Sequence, residues 1–194
     1  MRIAKKSINY LSISDALPIA RRYFVMNGFD GILTILGLLI GAYLAGIRDP
    51  HTILISGMGA SIAMGVSGSI GTYLTEHAER EREIREIENY MLENLGETIH
   101  HRAQRFSSYF LAMVDGFSPL ATGTLILSFF LIGPLLDIEM AILYSMAFFA
   151  ALLLLFAFGI YLGSISEENR LNYGFKMVLA GFIVIVACAP LTVA

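Results

Sequence analysis

Residues 140–166 read MAILYSMAFFAALLLLFAFGIYLGSIS, and no Asp, Glu, Lys or Arg interrupts them. At about 1.5 Å per helical residue, such a block can cross a hydrocarbon core of roughly 30 Å. Further blocks without these charged residues cover 31–47, 51–75, 116–136 and 177–194. The first of them reaches spanning length when residues 23–29 are joined to it across Asp30. The sequence therefore predicts an all-α, polytopic membrane protein with five transmembrane helices.

The composition of the chain agrees with a membrane protein. Of its 194 residues, 56% are hydrophobic and 15% are charged, whereas soluble domains average about a quarter charged. A single cysteine, Cys188, excludes an intrachain disulfide and a thiolate metal site within one chain. The net charge of −3 offers no overall attraction for nucleic acid. We expect the lipid bilayer as its surroundings and no nucleic-acid partner.

The basic residues predict how the chain crosses the membrane. The predicted spans cover residues 24–47, 52–75, 109–133, 141–164 and 174–193. Twelve of the 13 Lys and Arg residues then lie on one side of the membrane, and only Arg48 lies on the other. Because basic residues are retained on the cytoplasmic side, the N-terminus and the insert 76–108 are predicted to be cytoplasmic. The C-terminus is predicted to lie outside.

These boundaries divide the chain into four segments. Residues 1–22 mix apolar and basic side chains, which is typical of an amphipathic segment on the membrane surface. Residues 23–75 contain the first two spans, and residues 109–194 contain the last three. Between them lies a Glu/His-rich helical insert, residues 76–108.

The insert places its acidic residues in a helical pattern. Half of the chain's 16 acidic residues and three of its four histidines lie in residues 76–101. We name the following residues the Glu face: Glu76, Glu79, Glu83, Glu86, Glu93, Glu97 and His100. With Tyr90 they step by threes and fours, which places them on one side of a helix. We expect one amphipathic helix, or two, continuing the second span beyond the membrane.

Two interpretations of the Glu face remain open. Like charges three and four residues apart destabilise a helix, and a divalent cation bound by carboxylate oxygens would remove that repulsion. Added imidazole, as at His100, would shift the preference towards iron, manganese, cobalt or zinc. The alternative is a solvated face with Glu/Arg pairs, such as Glu76 with Arg80 and Glu86 with Arg82. Glu97 and His100 also fit the Glu-x-x-His element of di-iron bundles, but that site needs such elements from two helices.

Two aspartates lie near the cytoplasmic starts of spans. A carboxylate at mid-bilayer costs roughly 2.5–3.5 kcal/mol on insertion scales, so it normally faces a cavity, a partner or a proton. Asp30 and Asp115 are therefore candidate transport residues, and the alternative for each is a position at the lipid headgroups. Pro119, four residues after Asp115, is predicted to break the third span.

The second span is rich in Gly and Ser between residues 57 and 72. Small residues let helices approach closely, which is the simplest explanation of the pattern. A polar path past Gly65 and Ser69 is the alternative. The thioether of Met64 is a candidate ligand for a borderline metal, although Met more often fills apolar space.

Several motifs together resemble the vacuolar iron transporter family of Fe(II)/Mn(II) exporters, over nearly the whole chain. They are Asp30-Gly31 in the first span, Gly71-Thr72-Tyr73-Leu74-Thr75 at the end of the second, the Glu-rich insert, and Asn172-Tyr173-Gly174-Phe175-Lys176-Met177 opening the last span. The resemblance implies a five-span homodimer with an ion path at the subunit interface, metal exchanged for protons, and a cytoplasmic metal site on the insert glutamates. It also implies that Asp30 is the intramembrane metal-binding aspartate.

The second span departs from the family pattern at two positions. Where the family often has Gly-Glu-Tyr, this chain has Thr72 in place of the glutamate. A methionine that the family carries one turn earlier falls on Gly68, so that Met64, a further turn away, is the nearest substitute. We therefore count Thr72 and Met64 among the candidate transport residues of a divergent member.

The sequence thus predicts a transporter that moves Fe(II) or Mn(II) out of the cytoplasm in exchange for protons. The metal is its substrate, and no cofactor is expected. A membrane protein that binds or senses metal without transporting it is the alternative. An enzyme is not expected, because the chain has neither a His-Glu-x-x-His motif nor a Gly-x-Ser-x-Gly motif.

Overall fold

The computed structural model describes residues 16–91 and 99–192, with side chains described for 16–91 and 102–190. Five long helices account for most of this part of the chain: α1 (Ala16–Leu44), α2 (Pro50–Met91), α3 (Ile99–Ile132), α4 (Met140–Ile165) and α5 (Arg170–Cys188). Short 3-10 turns, Gly133–Leu136 and Ala189–Thr192, follow α3 and α5. Each of the five helices is long and apolar enough to cross a membrane. The prediction of an all-α protein with five spans is confirmed.

Helix α2 is much longer than a membrane crossing requires. Its 42 residues extend about 63 Å, roughly twice the hydrocarbon thickness. The second span therefore continues as one helix into the charged insert as far as Met91, as the spacing of the Glu face predicts. Glu93 and Glu97 lie outside the described residues, as does most of the predicted N-terminal segment. Its last residues, 16–22, begin α1.

Residues within the loop explain the conformation of the connection between α1 and α2. Gly46 has a φ of +70°, a backbone conformation that residues with a Cβ rarely adopt. Asp49 caps α2, because its carboxylate accepts hydrogen bonds from the hydroxyl and from the N–H of Thr52, the latter at 2.9 Å. These bonds hold the pKa of Asp49 below its ordinary value. Pro50 opens the helix, where its missing N–H costs nothing.

Helix α3 contradicts the predicted break at Pro119. Proline has no N–H to donate to the carbonyl four residues earlier, yet α3 is helical from Ile99 to Ile132. Pro119 is buried, and its Cα would lie 2.8 Å from a Cβ added at Gly31 of α1. Proline is tolerated in membrane helices that pack against neighbouring helices.

The residues form two compact units, which we describe separately. Unit 1 comprises the described residues of Met1–Phe24 and Gly65–Phe117, and unit 2 comprises Val25–Met64 and the described residues of Ser118–Ala194. The core of unit 2 is apolar and includes Ile32, Leu36, Ile126, Phe130 and Leu155.

The small residues of the second span make close helix contacts in unit 2, as predicted. A Cβ added at Gly57 would lie 2.7 Å from the side chain of Leu127. The hydroxyl oxygen of Ser61 lies only 2.1 Å from the position of a Cβ at Gly123. Helices α2 and α3 therefore approach closely, because Gly57 leaves room for Leu127 and because Ser61 and Gly123 are both small.

Helices α4 and α5 pack at another such contact in unit 2. A Cβ added at Gly159 would lie 2.5 Å from the Cα of Gly174 and from the carbonyl oxygen of Tyr173. Both atoms belong to the backbone, so relief requires the helices to move apart.

We expect Gly159→Ala to destabilise the protein by about 1–3 kcal/mol, because its methyl group would overlap the backbone of α5. Gly41→Ala is the matched control, since a Cβ there meets nothing within 4 Å. That variant should be neutral or stabilising by up to about 1 kcal/mol, because alanine is the better helix former. Equilibrium unfolding in mixed micelles measures both, and equal effects of the two variants would contradict this packing.

Candidate functional site

Asp30 lies on the exposed surface of α1 in unit 2. Its neighbour Gly31 is buried against Pro119 and Thr122 of α3. Because successive residues of a helix point about 100° apart, the burial of Gly31 leaves Asp30 on the outer side. Met26 and Thr34, one turn before and after Asp30, are exposed as well. A single chain therefore presents a carboxylate on the surface of a membrane-spanning helix.

Asp115 has the opposite environment, in unit 1. Its side chain is only 2% exposed, and its Oδ2 accepts a hydrogen bond of 2.6 Å from the hydroxyl of Thr72. A Cβ added at Gly68, one turn before Thr72, would lie 2.9 Å from the same oxygen. Asp115 and Thr72, which sequence analysis treated as separate candidates, thus form one buried pair between α3 and α2.

Glu76, the first residue of the Glu face, is bound by two side chains. The hydroxyl of Tyr23 on α1 donates to its Oε1 at 2.8 Å. Nε of Arg80 lies 3.4 Å from the second carboxylate oxygen of Glu76, Oε2. The two atoms form an ion pair, but their geometry is not that of a hydrogen bond. Arg80 is 7% exposed and donates a hydrogen bond through Nη1 to Oε1 of Gln104 on α3. This cluster of Tyr23, Glu76, Arg80 and Gln104, the Glu76 cluster, joins three helices of unit 1.

Sequence analysis found only part of the Glu76 cluster. The pair of Glu76 with Arg80 is the alternative that it kept open, because the two residues are four apart. Tyr23 and Gln104 are missing from that analysis, since 53 residues separate Tyr23 from Glu76 and 24 separate Gln104 from Arg80. Nothing local in the sequence marks such contacts.

An aromatic stack lies in the same unit. The rings of Tyr73 and His77 are parallel within 3°, with centroids 5.6 Å apart. Tyr109 of α3 also stacks on Tyr73, with ring centroids 4.8 Å apart. Its hydroxyl oxygen accepts a hydrogen bond of 3.2 Å from the hydroxyl of Tyr73. His77 is thereby held at the level of the Glu76 cluster.

The rest of the Glu face on α2 is more open. Glu79, Glu83 and Glu86 are exposed, and Glu86 pairs with Arg82 at 3.1 Å. The structure does not describe the side chain of His100, although its backbone lies in α3. Among the described residues, no group of three or more His, Cys, Asp or Glu could hold a metal ion.

Met64 lies in the part of α2 that belongs to unit 2, where its side chain is partly buried. A second methionine of this helix, Met58, has a polar neighbour: the hydroxyl of Thr124 lies 3.8 Å from its sulfur. The described contacts do not join Met64 to another candidate residue.

We expect Arg80→Met to destabilise the protein by about 3 kcal/mol, because it leaves a largely buried Glu76 without its cation. Arg82→Met is the matched control on the same helix. It removes an exposed pair of the same spacing, with side chains 69% and 57% exposed, and should cost less than about 0.5 kcal/mol. Unfolding in mixed micelles compares them, and similar losses would show that the burial of Arg80 adds nothing.

Comparison with known proteins identifies the family. The profile of the VIT family matches residues 21–110. An uncharacterized protein of Methanocaldococcus jannaschii is 33% identical over 172 residues, which cover 86% of this chain and 85% of the relative. The chain belongs to the VIT family. No solved structure matches it.

Membership of the VIT family, together with five apolar helices of spanning length, makes the chain an integral, multi-pass membrane protein of a transporter family. The matched residues include Asp30, the Glu76 cluster and the whole of α2. Asp115 lies just beyond the matched region.

Proposed function

We propose that this VIT-family protein is a homodimer that moves Fe(II) or Mn(II) out of the cytoplasm in exchange for protons. One observation carries the proposal: the carboxylate of Asp30 lies on the exposed surface of a membrane-spanning helix. Facing lipid, such a group costs roughly 2.5–3.5 kcal/mol on insertion scales. A second copy of the chain would remove Asp30 from the lipid.

Two-fold symmetry gives the Asp30 pair its chemistry. A symmetric interface brings the same surface of both chains together, so the two Asp30 carboxylates would face each other across the axis. Two carboxylates match the charge of one divalent cation, and their hard oxygens suit Fe(II) and Mn(II). Without a cation, repulsion between the two carboxylates favours the binding of a proton. Metal and proton then compete for one site, which is the requirement for exchange.

Exposed small residues on α2 support close contact between two copies. Gly59 of α2 is exposed, and a Cβ added there would meet nothing within 4 Å. Ala63, one turn after Gly59, is exposed as well. Small residues on membrane helices permit backbones to approach each other.

We assign capture of the cation to the Glu face. Glu79 and Glu83 are exposed and form no ion pair with a described side chain. The ligand set would be completed by Glu93, Glu97 and His100. Glu76 and Glu86 are the first and last members of the set on the described part of α2. The charge distribution of the sequence predicts that this face is cytoplasmic, which supports transport from the cytoplasm outward.

We expect Asp30→Asn to reduce Mn(II) flux at least tenfold and to abolish the accompanying proton flux, because the amide binds neither ion as a carboxylate does. Proteoliposomes that contain a Mn(II)-sensitive dye and a pH-sensitive dye measure both fluxes under an imposed pH gradient. Glu139→Gln is the control, since it removes an exposed carboxylate before α4. Wild-type flux in Asp30→Asn would refute the role of Asp30, and Mn(II) binding without any flux would favour the sensing alternative.

The dimer has its own test by cross-linking. In a Cys188→Ser background, Thr34→Cys places one thiol a helical turn from Asp30, and a bismaleimide should link two chains there. Phe149→Cys places the thiol on α4 at a side chain that is 68% exposed, and should give little product. Equal cross-linking at the two positions would contradict an interface at Asp30.

A further inference from the structure

A cavity of about 550 Å³ lies in unit 2, where α1 ends and α4 begins. Its lining comes from the last turn of α1, the loop that follows it, and the first turns of α4 with the residue before them. Sites for small ligands usually measure roughly 300–1,000 Å³. Asp30 and Met64, the candidate transport residues of the same unit, do not line this cavity, so a ligand bound here would have another role.

Two tyrosines form one wall of the cavity. Tyr144 of α4 is 4% exposed, and its hydroxyl donates a hydrogen bond of 3.0 Å to the carbonyl oxygen of Ile47. The ring of Tyr43 meets the ring of Tyr144 edge-on, with centroids 5.3 Å apart, and Tyr43 itself is exposed. These contacts hold the loop after α1 against α4. The face of an exposed aromatic ring attracts an ammonium group.

Two side chains of opposite charge also line the cavity. Arg48 belongs to the loop after α1, and Glu139 directly precedes α4. Both are exposed, and neither forms an ion pair with the other or with another side chain in the described part of the chain. Each charge is therefore available to a ligand. A guanidinium binds phosphate through charge-assisted hydrogen bonds, and a carboxylate binds an ammonium group, so a ligand that carries both groups matches the cavity.

The position of the cavity favours a membrane lipid as the source of these groups. It lies at the ends of two helices of spanning length, where tyrosine is typical of the level of the lipid headgroups. Leu44 and Met140 line it beside the two charges. A phospholipid offers apolar surface next to its charged headgroup, whereas a soluble zwitterion would leave the apolar part of the lining in water.

We propose that this cavity binds the headgroup of an aminophospholipid, with the phosphate at Arg48 and the ammonium group at Glu139 beside the ring of Tyr43. The proposal goes beyond the proposed function, because it assigns a lipid site apart from the candidate ion-binding residues. A lipid bound in this way contacts both α4 and the loop between α1 and α2.

The phosphate contact is tested by lipid retention in the full-length protein. Native mass spectrometry counts the lipids that the protein retains from micelles containing equal amounts of phosphatidylethanolamine and phosphatidylglycerol. Arg48→Gln should lower the retained phosphatidylethanolamine about fivefold, because a charge-assisted hydrogen bond is lost. Arg170→Gln is the matched control, since it removes an exposed arginine at the start of α5 that does not line the cavity.

The ammonium contact is tested by the choice between the two lipids. The wild type should retain phosphatidylethanolamine over phosphatidylglycerol, which has no ammonium group. Glu139→Gln should bring the two lipids to about equal retention, because it removes the carboxylate that distinguishes them. Glu168→Gln, at an exposed carboxylate outside the cavity lining, should keep the preference of the wild type.

Four results would overturn the proposal. They are equal retention of the two lipids by the wild type, wild-type retention by Arg48→Gln, the same loss in Arg170→Gln as in Arg48→Gln, and an unchanged lipid preference in Glu139→Gln. Displacement of the lipid by added phosphoethanolamine would identify a soluble zwitterion as the ligand and contradict a lipid site. Since Arg48 and Glu139 are exposed, both variants should melt as the wild type does in lipid-free micelles, which separates a lost contact from unfolding.

Discussion

A carboxylate in a membrane helix must be neutralised or bound, and this constraint organises the three acidic sites described above. Asp115 meets it inside one chain, through the hydroxyl of Thr72. Glu76 meets it where α2 continues beyond its apolar part, through Tyr23 and Arg80. Asp30 does not meet it within the described part of one chain, because its side chain is exposed. That difference is the basis of the proposal that Asp30 faces a second chain and an ion.

Helix α2 carries both the small residues of the second span and the charged residues of the insert. One uninterrupted helix carries the small residues that pack on α3, then Thr72, then the Glu face as far as Met91. The helix has no break between these regions, and one turn of backbone separates Thr72 from Glu76. The Glu76 cluster and the buried pair of Thr72 and Asp115 are therefore neighbours along α2 in unit 1.

Sequence predicted the fold well because long apolar blocks and small-residue spacing are local signals. Five spans and the close contacts of Gly57 and Ser61 followed from them. The predicted break at Pro119 was wrong for a physical reason. The loss of one backbone N–H is tolerated in α3, where Gly31 allows tight packing. The buried pair could not be predicted, because Thr72 and Asp115 are 43 residues apart.

The Glu76 cluster also affects how a cation would first bind. Arg80 already supplies Glu76 with positive charge at 3.4 Å, and Arg82 does the same for Glu86 at 3.1 Å. A divalent cation would compete with an arginine at either glutamate, and displacement would cost more at the buried Arg80 than at the exposed Arg82. Glu79 and Glu83 lie between these pairs and form no ion pair with a described side chain. Capture should therefore begin at Glu79 and Glu83, and Glu76 should take part only after Arg80 has moved.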